Sequence, residues 1–316
     1  MLFTSTVEQA SPEEVYELTA ANGSVRRGIL TLPSRQSKPR GGIILLPSGL
    51  KYHVGAHQLN VFFARGLAAQ GWLVLRFDPF GVGESDGQLG PEPVAELWRK
   101  IQLGLFVDDA LMVSEDLRRR FNLDKIVLSG LCGGAITAQL AASMDGGLVD
   151  AAISLNTPIN LSQRDSGNAS LGATQARHEF REYLKKLSSK DAWLRLIKRK
   201  SSFSTIAETI FTTARSMVGA EPKIQFEHEN PLFIESFRRL EKRQFPHLLI
   251  FSGSDSLWFE FQETFLHPKL SGKMSDRGYE IKVIEQASHV LVFKEWRLEA
   301  LKLMTDWLSA LPPSAN

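Results

Sequence analysis

Ile126-Val127-Leu128-Ser129-Gly130-Leu131-Cys132-Gly133-Gly134-Ala135-Ile136 joins a short apolar run to a helical pattern through a turn of small residues. The run Ile126–Ser129 has the length and branched-chain content of a strand buried on both faces. The residues from Ala135 to about 144 read as a helix. A strand that turns this sharply into a helix needs small residues two positions either side of the turn residue, so that the two elements can cross closely. Gly130 and Gly134 supply them around Cys132.

The same alternation extends outward along the chain. Ile43–Leu46, Trp72–Phe77, Ala151–Leu155, Leu248–Phe251 and Ile281–Ile284 read as further buried strands, with helical patterns at about 57–69, 94–120, 133–144, 258–266 and 294–309. Strands alternating with helices predict parallel strands joined by crossovers, an α/β fold with helices on both faces of a mostly parallel sheet. Ahead of it, Glu14–Leu18 and Val25–Leu32 flank the turn signal Asn22-Gly23 and predict an antiparallel hairpin. The alternation breaks between Leu155 and Leu248, where helical patterns at 176–187, 190–200, 204–217 and 231–242 predict a helical insertion. The expected division is a core of 1–158 with 244–316 and a lid or cap of 159–243, emerging where α/β sheets gather ligands.

With 316 residues, 43% hydrophobic and 23% charged, the chain is too apolar for disorder and long enough for one large core plus an insertion. Lys+Arg 37 against Asp+Glu 35 leaves +2, which disfavours nucleic acid as a partner. The start, Met1-Leu2-Phe3-Thr4-Ser5-Thr6-Val7-Glu8-Gln9-Ala10, has neither a basic opening nor a long apolar run, and no stretch approaches the roughly 18 apolar residues of a membrane span. A cytoplasmic protein without stable membrane insertion is expected. One cysteine excludes an intrachain disulfide and a cysteine-based metal site, and no metal or cofactor is expected.

That cysteine stands at the turn where a nucleophile would be lifted above the carboxyl edge of the sheet, facing a helix N-terminus that favours thiolate. A thiol nucleophile needs a base and the base an orienting acid. Of seven histidines, His289 follows the strand Ile281–Ile284, and Asp255 follows Leu248–Phe251, so both fall at carboxyl ends in the chain order nucleophile, acid, base. Glu260 is the fallback acid. His247 precedes its strand, His267 lies beyond a late helix, and His178 and His228 lie in the insertion. His53 and His57 precede the nucleophile and are assigned to substrate binding or loop structure, with Leu131 and Trp258 as further expected substrate contacts. The oxyanion hole is expected from the amide of Gly133 and one from Pro47-Ser48-Gly49-Leu50, with Leu50 favoured over Gly49. Asp78-Pro79-Phe80-Gly81-Val82-Gly83-Glu84-Ser85-Asp86-Gly87 lacks the helix and the downstream acid of a dinucleotide site and reads as a loop flanking the cleft.

From about Gly41 onward these residues resemble the α/β-hydrolase superfamily, through Leu75–Ser85, the elbow at Cys132, Gly253-Ser254-Asp255 and Ser288-His289. Tyr52-His53-Val54-Gly55-Ala56-His57, Gly130-Leu131-Cys132 and Tyr183–Trp193 are similar to the exosortase A system-associated hydrolases, with His53 replacing their usual arginine-rich version. The resemblance implies a hydrolase-type enzyme linked to biosynthetic or export clusters. Three functions are compatible with the residues. The first is an acyl enzyme cleaving an ester or thioester through Cys132, His289 and Asp255. The second is an acyltransferase or cyclase passing the S-acyl group to an amine or hydroxyl. The third is a small-molecule receptor without turnover. Arg181, Lys185, Lys186, Lys190, Arg195, Lys198, Arg199 and Lys200 form a solvated face or a contact for an anionic partner, such as a coenzyme A- or carrier-protein-bound acyl substrate. A homodimer is compatible with the sequence.

Overall fold

The computed structural model describes residues 11–33, 38–144, 146–161, 229–266 and 278–312. Strands β1 (Glu13–Thr19) and β2 (Val25–Thr31) form the antiparallel hairpin. Its turn is closed by Asn22, whose Oδ1 accepts from the amide and hydroxyl of Ser24 at 3.0 and 2.6 Å. Strands β3 (Gly42–Leu46), β4 (Leu73–Phe77), β5 (Ile126–Leu131), β6 (Ala151–Leu155) and β7 (His247–Ser252) are buried throughout, which is why their sequences are mostly apolar, with single polar residues such as Arg76 and Ser129. Strand β8 (Tyr279–Ile284) closes the edge and alternates exposed with buried positions.

The eight strands form one sheet in the order β1-β2-β4-β3-β5-β6-β7-β8. Strands β3 to β8 are parallel, and β2 joins β4 antiparallel with Gly28 opposite Phe77. The helices are α1 (Leu59–Ala69), α2 (Val94–Gln102), α3 (Val107–Phe121), α4 (Gly133–Met144), α5 (Pro231–Lys242), α6 (Ser256–Phe261) and α7 (Lys294–Ala310). Apolar residues of α1 and α7 cover one face of the sheet, and those of α3, α4 and α5 the other. This is the expected α/β-hydrolase architecture.

Two helical patterns come out differently. The one at 94–120 is two helices, because Gly104 adopts φ 99° after α2 and redirects the chain before α3 begins. The one at 258–266 begins at Ser256, capped by Asp255, and widens to a π-helix over Gln262–Leu266. Contacts group Met1–Asp165 with Asn230–Asn316 as one compact unit and Ser166–Glu229 as another. Helix α5, within the expected insertion 159–243, packs on α4, where Gln139 donates to the Phe233 carbonyl at 3.1 Å and to Ser236 Oγ at 2.8 Å. The patterns at 176–187, 190–200 and 204–217, the basic stretch 181–200, His178, His228 and His267 lie outside the described residues. Among the described residues, no helix is long and apolar enough to cross a membrane.

Candidate active site

Cys132 sits at φ 55°, between the end of β5 and the first residue of α4. A left-handed backbone is strained for a residue with a side chain, and it persists only where the surroundings enforce it. Here they do. A Cβ on Gly130 would lie 2.5 Å from the Gly134 carbonyl carbon, and one on Gly134 would lie 2.7 Å from the Leu46 carbonyl oxygen, so strand and helix cross with no room for a methyl group. The Cys132 amide donates to the Leu155 carbonyl at 2.9 Å, and its carbonyl accepts from Ala135 and Ile136 at 2.9 and 3.1 Å. Its thiol is free and half-buried.

Asp255 follows β7 and is buried. Its Oδ1 accepts from the Leu257 amide at 3.3 Å as the N-cap of α6, while Oδ2 accepts from His289 Nδ1 at 2.5 Å. The loops carrying the two residues are laced together: Gly253 donates to the Ile284 carbonyl at 2.8 Å and Ser254 to that of Ala287 at 3.1 Å. The structure thus brings Cys132, His289 and Asp255 together. Burial pulls the His289 imidazole down, but hydrogen bonds to Asp255 and Cys132, and the negative charge of both partners, push it up to about 10. Such a ring holds a proton strongly and can take one from a thiol.

Glu260 does not reach His289 as the fallback acid. It is held by the Asn160 side-chain amide instead. Burial pushes its carboxyl up to about 7, opposed by that amide and assisted by the charge of Asp255.

Gly133 and Gly49 lie back to back, since a Cβ on Gly133 would stand 2.8 Å from Gly49 Cα and N. As the first residue of α4, Gly133 has an amide with no intrahelical acceptor. The two loop candidates separate cleanly. The Gly49 amide is spent on the Pro47 carbonyl at 2.9 Å, whereas the Leu50 amide has no acceptor among the described residues. Leu50 packs with Val82, Ile101 and Phe106, which fixes its backbone beside Gly133.

The expected substrate contacts fare differently. His53 is turned into the protein: its amide and Nδ1 meet the two oxygens of the buried Asp78 at 2.6 and 2.9 Å, a loop tie. His57 lines a groove between α1 and α7 with Phe62, Arg65, Arg297, Leu298 and Leu301, away from the three gathered residues. Leu131 is 3% exposed within the cluster of Val127, Ile153 and Leu155, so packing rather than an open surface holds it. Trp258 is half-buried, its ring 5.2 Å from that of Phe251. Asp78–Gly87 is a compact loop with no helix, tied by Ser85 Oγ to the Asp78 carbonyl at 2.5 Å. The motif reading passes over Asn156. Its signal is an asparagine directly after the buried run Ala151–Leu155, a residue type that tolerates a left-handed turn at a strand's carboxyl end.

A family model described as serine aminopeptidase, S33, matches residues 37–295. The chain belongs to this α/β-hydrolase family. It is therefore a hydrolase-type enzyme, with Cys132 at the elbow of a family named for serine. No curated protein matches the chain. Among solved structures it is similar to DcsB, in complex with a substrate analogue, at TM-score 0.58 and 16% identity over 96% of this chain and 100% of that one. The α/β hydrolase GrgF from Penicillium sp. sh18 matches at 0.55 and 20% over 94% and 98%. An esterase from Pyrococcus furiosus matches at 0.54 and 16% over 95% and 90%. At these identities the likeness shows the fold.

Proposed function

We propose that the protein is an acyl enzyme that cleaves an ester or thioester, with Cys132 as nucleophile, His289 as base and Asp255 as the acid that orients it. The observation that carries this reading is the imidazole of His289, bonded through Nδ1 to the buried Asp255 carboxylate at 2.5 Å and pushed up by Asp255 and by Cys132 at the elbow. His289 Nε2 takes the thiol proton before substrate binds, the sulfur of the resulting thiolate–imidazolium pair attacks the substrate carbonyl, and the oxyanion that forms is met by the amides of Gly133 and Leu50. Collapse expels the alkoxide or thiolate, which leaves with the proton held by His289, and an S-acyl enzyme remains. Water then gives its proton to His289 and attacks the thioester; the acid departs, and the thiolate–imidazolium pair is restored. Asp255 accepts from Nδ1 throughout, which keeps Nε2 facing the chemistry.

The similarity of Tyr52–His57 and Gly130–Cys132 to exosortase A system-associated hydrolases supports placing the substrate in a biosynthetic or export pathway. An S-acyl enzyme lies close in energy to a thioester, which suits an acyl group delivered on coenzyme A or a carrier protein. The test is incubation with p-nitrophenyl acetate followed by intact-mass measurement. One acetyl group on the wild type and none on Cys132→Ala is expected. Equal labelling of the two, or none on either, overturns the reading. Deacylation faster with an added amine or alcohol than with water would assign acyl transfer in place of hydrolysis.

A further inference from the structure

We infer that Asn156, at the carboxyl end of β6, is a positioning residue that holds the loops of the acid and the base in register with the nucleophile; the inference rests on the acyl-enzyme reading. Residues 155 and 156 touch all three parts. The Leu155 carbonyl accepts from the Cys132 amide at 2.9 Å. The Asn156 amide side chain spends both its N–H groups, one on Ser252 Oγ at 2.9 Å and one on the His289 carbonyl at 2.9 Å. Its Oδ1 accepts from the Ser252 amide at 2.7 Å, and its own backbone amide donates to the Ile250 carbonyl at 2.9 Å.

Ser252 is the last residue of β7, three before Asp255, and the Asp255 amide closes back on the Ser252 carbonyl at 3.0 Å. A single side chain therefore joins the root of the acid loop to the backbone of the base. It is 1% exposed, and it adopts φ 46°. That conformation is one Asn tolerates better than most side chains, and it turns the amide out of the β6 ladder toward the neighbouring loops. With both donors and the acceptor engaged inside the protein, the amide has no rotamer that preserves the same bonds.

The test replaces Asn156 in the full chain. Asn156→Gly keeps the left-handed backbone and removes the amide. Asn156→Asp keeps the size and the acceptor for Ser252 while removing both donations. With p-nitrophenyl acetate, kcat is expected to fall on the order of 100-fold in each variant with KM little changed, because a misplaced base costs rate rather than binding. In Asn156→Gly the titration midpoint of the His289 ring, read by NMR, is expected to fall below that of the wild type as its contacts with Asp255 and Cys132 loosen. A merely structural role would lower the melting temperature and leave the kcat of folded protein and the His289 midpoint at wild type. That result in Asn156→Gly overturns the inference, as does undiminished kcat in Asn156→Asp should the glycine variant fail to fold. Absence of a Cys132-dependent adduct in the wild type defeats the acyl-enzyme reading instead, and the His289 titration still decides the role of Asn156.

Discussion

Asp255 does two jobs with two oxygens, and the jobs can be separated. Asp255→Asn keeps an oxygen for the Leu257 amide and so keeps the cap of α6, but it offers an N–H where His289 Nδ1 donates. Reversal of the imidazole tautomer is expected to lower kcat by about 10,000-fold. The α6 cap, worth roughly 1 kcal/mol, is kept, so the stability lost at neutral pH is that of the His289–Asp255 pair and should shrink as pH rises through about 10, which denaturant unfolding checks. His289 makes a prediction about pH. Its imidazole is raised to about 10, so its stabilising contribution is complete below about 6.5 and is lost as pH climbs through about 10. The stability difference between wild type and His289→Gln should therefore shrink from pH 6.5 to 10.5 in urea melts. Sequence order alone pointed to Cys132, Asp255 and His289, because the chemistry fixes which strand ends must carry them. It favoured the amide of Leu50 over that of Gly49 without supplying a physical reason. That choice depends on whether an amide is already bonded, which is a matter of backbone geometry invisible in residue types.

At the scale of elements, the strands were legible because a buried parallel strand has no polar face, so that Ile43–Leu46, Ala151–Leu155 and Leu248–Phe251 stand out as short apolar runs. The division of 94–120 was not. Apolar spacing continues across Leu103, Leu105 and Phe106, and only the positive φ of Gly104 separates α2 from α3. His53, too, was ambiguous in sequence, since its partner Asp78 is 25 positions away. The elbow gives a prediction about packing. Gly134→Ala would drive a Cβ to 2.7 Å from the Leu46 carbonyl oxygen, and backbone cannot step aside cheaply. A loss of about 1–3 kcal/mol or more is expected. Gly146→Ala meets no atom within 4 Å and should stay within about 0.5 kcal/mol of wild type by the same measurement.

Over the whole molecule, the proposed catalytic residues Cys132, Asp255 and His289 stand at the carboxyl edge of the sheet, and the opposite edge holds a titratable group of another kind. His247 marks that contrast. It opens β7 at the end opposite Ser252, is fully buried against Phe237, and its Nε2 meets Ser154 Oγ at 2.9 Å. Burial depresses its imidazole to about 3. The unfolded chain therefore binds a proton that the folded one refuses. Stability present above about 6.5 is lost as pH falls toward 3, and His247→Gln should show a shallower decline over that range in acid unfolding. This histidine limits the fold at low pH without touching the active edge.

The cap at Asp255 ties two failures into one event. Helix α6 has six α-helical residues before it widens to the π-helix, and helix ends fray first on warming. When its opening turn lets go, the carboxylate that steadies His289 drifts with it, so heat should silence the enzyme while the sheet is still intact. Turnover is expected to disappear several degrees before the far-ultraviolet dichroism does, and coincidence of the two curves would refute that coupling.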